Sequence, residues 1–257
     1  MTQQAILSRQ ELTDASDALI ELSQVTRDFG GLRAVDHVDL TIRRGELRGL
    51  IGPNGAGKST VFKLIMGIHS LTSGKILFNG TDISEMPTWQ RARLGIGIKM
   101  QIPCVYGELT GYENMRIAAQ NYMKNNEIKG EIERIVELIG IEHLLLQEVN
   151  NLSHGQQQWL EIAMTLLSNP DLLLLDEPVA GMGPEETAFT AEIIKRLNEN
   201  GFSIIFIDHD MEFVRQISKK VTVLHQGATF AEGNINEIES NKEVIEIYLG
   251  SDSSEGT

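Results

Sequence analysis

The chain has 257 residues, 41% of them hydrophobic, and carries 36 acidic against 22 basic side chains for a formal charge of −14. That balance speaks against a broad nucleic-acid surface, which needs clustered Lys and Arg to neutralise phosphates, and the pairs Arg43/Arg44, Arg91/Arg93 and Lys219/Lys220 are expected to be solvated faces, with contact to anionic lipid the alternative for one of them. No apolar run approaches the ~18 residues of a membrane helix, no secretory leader pattern opens the chain, and Cys104 has no intrachain partner, so a cytosolic subunit is expected, with Cys104 a small buried filler.

Residues 1–18 are polar and expected to fray. From Leu19 to about Gly97, short β-like runs alternate with turns at Phe29-Gly30-Gly31 and Phe78-Asn79-Gly80. Inside that stretch Glu46–Ile51 reads as a strand and Val61–Met66 as a helix, on either side of Gly52-Pro53-Asn54-Gly55-Ala56-Gly57-Lys58-Ser59. Between Tyr112 and Leu146 the period turns helical. Ile128, Ile132, Ile135, Val136 and Ile139 make an apolar stripe closed by Gly140, read as packing within a helical lobe over about 102–163. Leu152–Gln158 leads into Trp159–Ala163 with helical spacing. Asp171–Asp176 and Ser203–Asp208 are runs short enough for fully buried strands, Val221–Gly227 reads as a strand and turn, and 251–257 is a polar tail.

The glycine-rich run is a complete G-x-x-x-x-G-K-[ST] phosphate loop in its required strand-to-helix context, which predicts binding of ATP or GTP. Its glycines let successive N–H groups converge on phosphates at the positive end of the following helix. Lys58 reaches the β/γ-phosphates and Ser59 offers a hydroxyl to Mg²⁺. Asp171–Pro178 ends in two carboxylates and a proline, the form of a Walker B strand. The carboxyl ends of strands in an open α/β sheet face the ligand crevice, so Asp176 is expected beside the Mg²⁺ and Glu177 beside the γ-phosphate, polarising an attacking water.

With Leu152-Ser153-His154-Gly155-Gln156 between these motifs, the chain resembles the ATP-binding cassette ATPases, whose signature is usually Leu-Ser-Gly-Gly-Gln. The resemblance runs from about Leu19 to Gly250 and rests on five motifs in order, which is far more specific than any one of them. It implies an α/β fold, a P-loop NTPase (RecA-like) core sheet with an antiparallel β subdomain and a helical signature subdomain, over 19–250. It also implies that Gln101 touches Mg²⁺ and the attacking water, and that His209 holds the γ-phosphate. Gly52, Pro53, Asn54, Gly55, Ala56, Gly57, Lys58, Ser59 and Thr60 would cradle ATP in one subunit while Ser153, Gly155 and Gln156 of a second subunit close over it. Phe29 stands where the family stacks an aromatic ring on adenine, with ordinary strand packing as the alternative. Mg²⁺ would be held by Ser59, Gln101 and Asp176.

Two departures limit the carry-over. His154 replaces a glycine and could approach the partner's ATP or point into solvent. Val179-Ala180-Gly181-Met182-Gly183 lacks the carboxylate usual in the D-loop, though Glu185 and Glu186 follow and could start the next helix. The resemblance further implies permease subunits, a second ATPase subunit, indirect work with a solute-binding protein, no nucleic acid, and a place on the inner face of the plasma membrane. Within the family the runs 152–156, 158–162, 178–182, 208–214 and 244–250 are most similar to ATPases of branched-chain amino acid importers and, among those, to the urea type. Urea is therefore the expected cargo, with branched-chain amino acids the alternative and a soluble assembly or repair ATPase a third reading. Nothing in such a subunit contacts the solute, so cargo rests on resemblance alone.

Overall fold

The computed structural model describes residues 18–102 and 104–252. In chain order the strands are β1 (Ala18–Phe29), β2 (Leu32–Arg43), β3 (Leu47–Ile51), β4 (Ser73–Phe78), β5 (Thr81–Asp82), β6 (Ile96–Lys99), β7 (Leu172–Asp176), β8 (Ser203–Ile207), β9 (Lys220–His225) and β10 (Ala228–Asn234). The helices are α1 (Lys58–Met66), α2 (Thr88–Arg93), α3 (Gly111–Ala119), α4 (Asn125–Ile139), α5 (His154–Leu166), α6 (Pro184–Glu199), α7 (Met211–Ile217), α8 (Ile235–Ser240) and α9 (Lys242–Asp252). The extension over 1–18 falls outside the described residues except for Ala18, which opens β1. Ser251 and Asp252 close α9, and 253–257 lie outside the description.

Two sheets form. β2-β1-β4-β5 is antiparallel, and β10-β9-β3-β8-β7-β6 has β3, β6, β7, β8 and β9 parallel with β10 antiparallel at one edge. The central strands are apolar runs because both faces of their sheet are covered. Alternation then sends neighbouring side chains into different cores. Leu173 and Leu175 of β7 and Ile204 and Phe206 of β8 pack with the helical stripe of α4 and with α5 and α6. Leu172 and Leu174, with Ile205 and Ile207, face α1 and the antiparallel sheet. Burying each such side chain contributes about 1.5–3 kcal/mol, so β7 ties the two halves of the molecule together. The stripe Ile128, Ile132, Ile135, Val136 and Ile139 is buried as expected.

Three sequence-based expectations are corrected by the structure. Arg91 is 2% exposed; its guanidinium donates to the carbonyls of Leu64 (2.7 Å) and Ile65 (2.9 Å) at the end of α1, and to those of Met86 and Ser84. It caps a helix C-terminus, adding donors to carbonyls at the end of α1, where the pattern of the sequence suggested a solvated face. Cys104 is exposed, because the segment after Gln101 runs over the surface. β1 and β2 are each 12 residues long, broken by register shifts, where the sequence suggested only short β runs.

Candidate active site

Parallel register builds the site. Leu50 pairs with Ile207, Ile207 with Asp176, and Leu175 with Lys99, so β3, β8, β7 and β6 end along one edge. The residues that follow, Gly52, Asp208, Glu177 and Gln101, therefore emerge side by side although more than 150 positions separate the first from the last in sequence. Gly52 is the sharpest turn of the phosphate loop. Its φ of 146° and an added Cβ only 2.1 Å from the Leu224 carbonyl oxygen leave room for glycine alone. Lys58 and Ser59 open α1, whose helix dipole points its positive end into the loop.

The Lys58 ammonium donates to the carbonyls of Gly52 (2.7 Å) and Pro53 (3.0 Å). Burial lowers its pKa, against the pull of Glu177, Asp176 and Asp208. The Ser59 hydroxyl meets Asp176 Oδ1 at 3.4 Å, and burial raises the Asp176 carboxyl. Gln101 Nε2 donates to Glu177 Oε2 at 2.8 Å, and His209 Nδ1 lies 3.8 Å from Glu177 Oε1. Glu177 itself has φ 47° and donates its N–H to the Ile207 carbonyl, a left-handed backbone that costs a non-glycine residue about 1–2 kcal/mol. Held this way, its carboxylate stands between the glutamine and the histidine.

Of the expected cation set, Ser59 and Asp176 come together, while the Gln101 amide N–H is committed to Glu177. Among the described residues no group of three or more His, Cys, Asp and Glu could hold a metal. A hydroxyl and one carboxylate are the hard oxygen donors that Mg²⁺ takes from protein when substrate phosphates supply the rest, so the donor set fits that ion. Phe29 is 37% exposed at the end of β1, with His69 edge-on at 5.1 Å and the Arg27 guanidinium 4.5 Å from its ring centre. A cleft of about 780 Å³ borders Pro53, Asn54, Gly55 and Ala56, but its other wall includes Phe230, Glu243 and Glu246. It lies beside the loop, and Lys58, Ser59 and Asp176 do not line it.

Ser153 is the N-cap of α5. Its hydroxyl accepts from Gln156 N–H (3.2 Å), while Gln156 Oε1 accepts from Ser153 N–H (3.0 Å), so the Gln156 side chain is spent within its own helix. His154 is exposed; its Nε2 lies 3.1 Å from the Gln158 amide nitrogen, and the ring lies along Gly181. Glu185 and Glu186 stand in the first turn of α6.

Supporting groups escaped the sequence reading. Lys99, fully buried at the end of β6, donates to the Asp176 carbonyl at 3.3 Å, and burial lowers its pKa. Glu161 of α5 accepts from Cys104 N–H at 3.0 Å and ties the segment after Gln101 to the signature helix. Asp208 Oδ1 accepts from the N–H groups of His209 and Asp210, shaping the turn that carries His209. A lysine closing the apolar run Ile96–Lys99 was the one visible signal for any of them.

A phosphate loop with two carboxylates, a glutamine and a histidine converging on it, on a parallel sheet with a helical lobe, defines a nucleotide-hydrolysing cassette. The family model described as ABC transporter matches residues 35–180. The chain is 36% identical over 252 residues, 91% of its length and 99% of the other, to the high-affinity branched-chain amino acid transport ATP-binding protein BraF of Pseudomonas aeruginosa. It superposes on the ADP conformation of the ATP-binding cassette MJ1267 with a TM-score of 0.85, at 26% identity and covering 91% of this chain and 100% of that one. On the dimeric MJ0796 cassette bound to ADP and Pi the TM-score is 0.74, at 25% identity over 84% and 98%. The chain belongs to the ABC transporter family. It is an ATP-binding subunit that hydrolyses ATP in the service of transport, and subunits of this kind work as dimers with permeases.

Proposed function

We propose that the chain energises import of branched-chain amino acids, as one of a pair of ATPase subunits docked on permeases at the inner face of the plasma membrane, with a solute-binding protein acting through the permeases. The observation that carries the cargo is the identity with BraF over nearly the whole of both chains. Among the described residues no helix is long and apolar enough to cross a membrane, which suits a subunit that leaves the channel to its partners. Urea is the second reading. It is favoured by the runs around Ser153-His154-Gly155, Ala180-Gly181-Met182 and Asp210–Val214, but the BraF likeness fits the amino acid alternative better.

The roles proposed for the site follow its geometry. Lys58 exchanges the Gly52 and Pro53 carbonyls for β- and γ-phosphate oxygens. Ser59 and Asp176 hold Mg²⁺, which when bound offsets charge on those oxygens. Glu177 accepts a proton from a water lined up with the γ-phosphorus, Gln101 orients that water, and His209 completes the arrangement on the other side of the carboxylate. Phe29 offers its exposed ring to adenine. Ser153, Gly155 and the N–H groups at the start of α5 meet the partner subunit's ATP. His154, turned toward Gly181 and Gln158, acts within its own subunit.

Deletion of the chain tests the cargo. High-affinity uptake of labelled leucine and valine should be lost while urea uptake is unchanged, and Glu177→Gln should fail to restore it. Loss of urea uptake with leucine and valine uptake intact would contradict the amino acid reading and leave the ATP site as described.

A further inference from the structure

The Ser153 hydroxyl, at the N-terminus of α5, donates to Glu186 Oε1 of α6 at 2.7 Å, across 33 positions of sequence. The same carboxylate lies over Gly155: an added Cβ there would stand 2.6–2.9 Å from the Glu186 carboxyl atoms. Its other oxygen meets Gly183 N–H at a longer 3.4 Å, so the shorter bond goes to the serine and not to the helix it belongs to. The clasp continues deeper. Thr190 Oγ1 donates to the Glu186 carbonyl at 2.8 Å and accepts from Trp159 Nε1 at 2.8 Å, fixing α5 and α6 against each other.

A carboxylate at a helix N-terminus, beside a serine hydroxyl and the Gly155 backbone, occupies the kind of position that a phosphate group takes. A hydroxyl has one proton to donate. While Ser153 gives it to Glu186, it has none for a phosphate oxygen, and the negative charge of Glu186 repels an incoming phosphate.

We propose that Glu186 is a positioning residue of the half-site contributed in trans, holding Ser153 until the partner's ATP displaces it and so setting the ATP concentration at which two subunits close. The proposal rests on the reading that Ser153 meets the partner's nucleotide. Two such contacts break per dimer, one in each half-site. The residue also joins the start of α6, just after the carboxylate-free D-loop, to the signature helix, so a change at one is felt at the other.

The test uses the full chain carrying Glu177→Gln, which stops turnover, and follows ATP-driven dimerisation by sedimentation. Adding Glu186→Gln keeps the shape and removes the charge. The half-maximal ATP concentration should fall by at least about threefold, the size expected when a repelling charge is removed near a helix terminus. The shift should shrink when Ser153→Ala is also present, because the part routed through that hydroxyl is then absent and only the charge repulsion remains. Loss of a helix cap alone would lower the unfolding temperature and leave the ATP midpoint where it was. An unchanged or raised midpoint overturns the proposal, as does a shift that persists undiminished without the Ser153 hydroxyl. Absence of ATP-driven dimers from Glu177→Gln at any ATP concentration removes the trans half-site itself and the proposal with it, without bearing on the cargo.

Discussion

At Asp176, burial raises the carboxyl above its ordinary value of 3.8, with the Ser59 hydroxyl pulling it down and the Glu177 charge adding to the rise. The folded chain then binds a proton more readily than the unfolded one between the ordinary and the raised value. Stability falls as pH rises through that interval, and the full cost is present above it. Asp176→Asn removes the charge and should make the nucleotide-free chain more stable at pH 8; a gain of about 1 kcal/mol would show as about 2–4 °C in thermal unfolding. The gain should shrink as pH is lowered toward 3.8, while ATP turnover is lost throughout. A less stable variant at pH 8 would mean that the Ser59 contact outweighs the burial cost. As candidates that the fold gathers at one sheet edge, Lys58, Ser59, Asp176, Glu177, Gln101 and His209 were legible because each sits in a short motif beside a strand end or helix start. Glu161, Asp208 and Glu186 were not, since their partners lie 57 residues away (Cys104), in backbone N–H groups whose geometry a turn decides, and 33 residues away (Ser153).

Elements are held to the site by contacts that no local pattern announces. Arg91 of α2 closes the C-terminus of α1, the helix that presents Lys58 and Ser59 at its other end. Its planar fork reaches four carbonyls, which a lysine ammonium cannot match in geometry. Arg91→Lys should therefore cost about 2–3 kcal/mol, read as a lower denaturant midpoint at unchanged slope, and should weaken ATP binding through a looser α1. A midpoint within about 0.5 kcal/mol of the parent chain would show that the cap contributes little. The apolar runs of β7 and β8 and the stripe of α4 were readable because strand alternation and helix period are written in adjacent residues. The length of β1 and β2 was hidden by bulges that break the alternation, and the exposure of Cys104 by a path that only the tertiary fold determines.

At the scale of the whole molecule, the proposed function assigns the phosphate loop and the Ser153 end of α5 to two different nucleotides. The phosphate loop and its carboxylates lie along one edge of the parallel sheet, while the Ser153 end of α5 is engaged with Glu186 and its own capping box. In the proposed function such a chain completes its site with the signature end of a second copy or a related subunit, and the cassette it superposes on is dimeric. Complementation measures this directly. Lys58→Ala lacks the phosphate cation and Ser153→Ala lacks the trans hydroxyl, so each alone should be nearly inactive as an ATPase. A mixed dimer holds one site with both defects and one with neither. Mixing the two variants should restore ATP hydrolysis to as much as about a quarter of the parent rate, since random pairing makes half the dimers mixed and each mixed dimer has one intact site of two. No recovery on mixing, or full activity of Ser153→Ala by itself, would contradict a site shared between two chains.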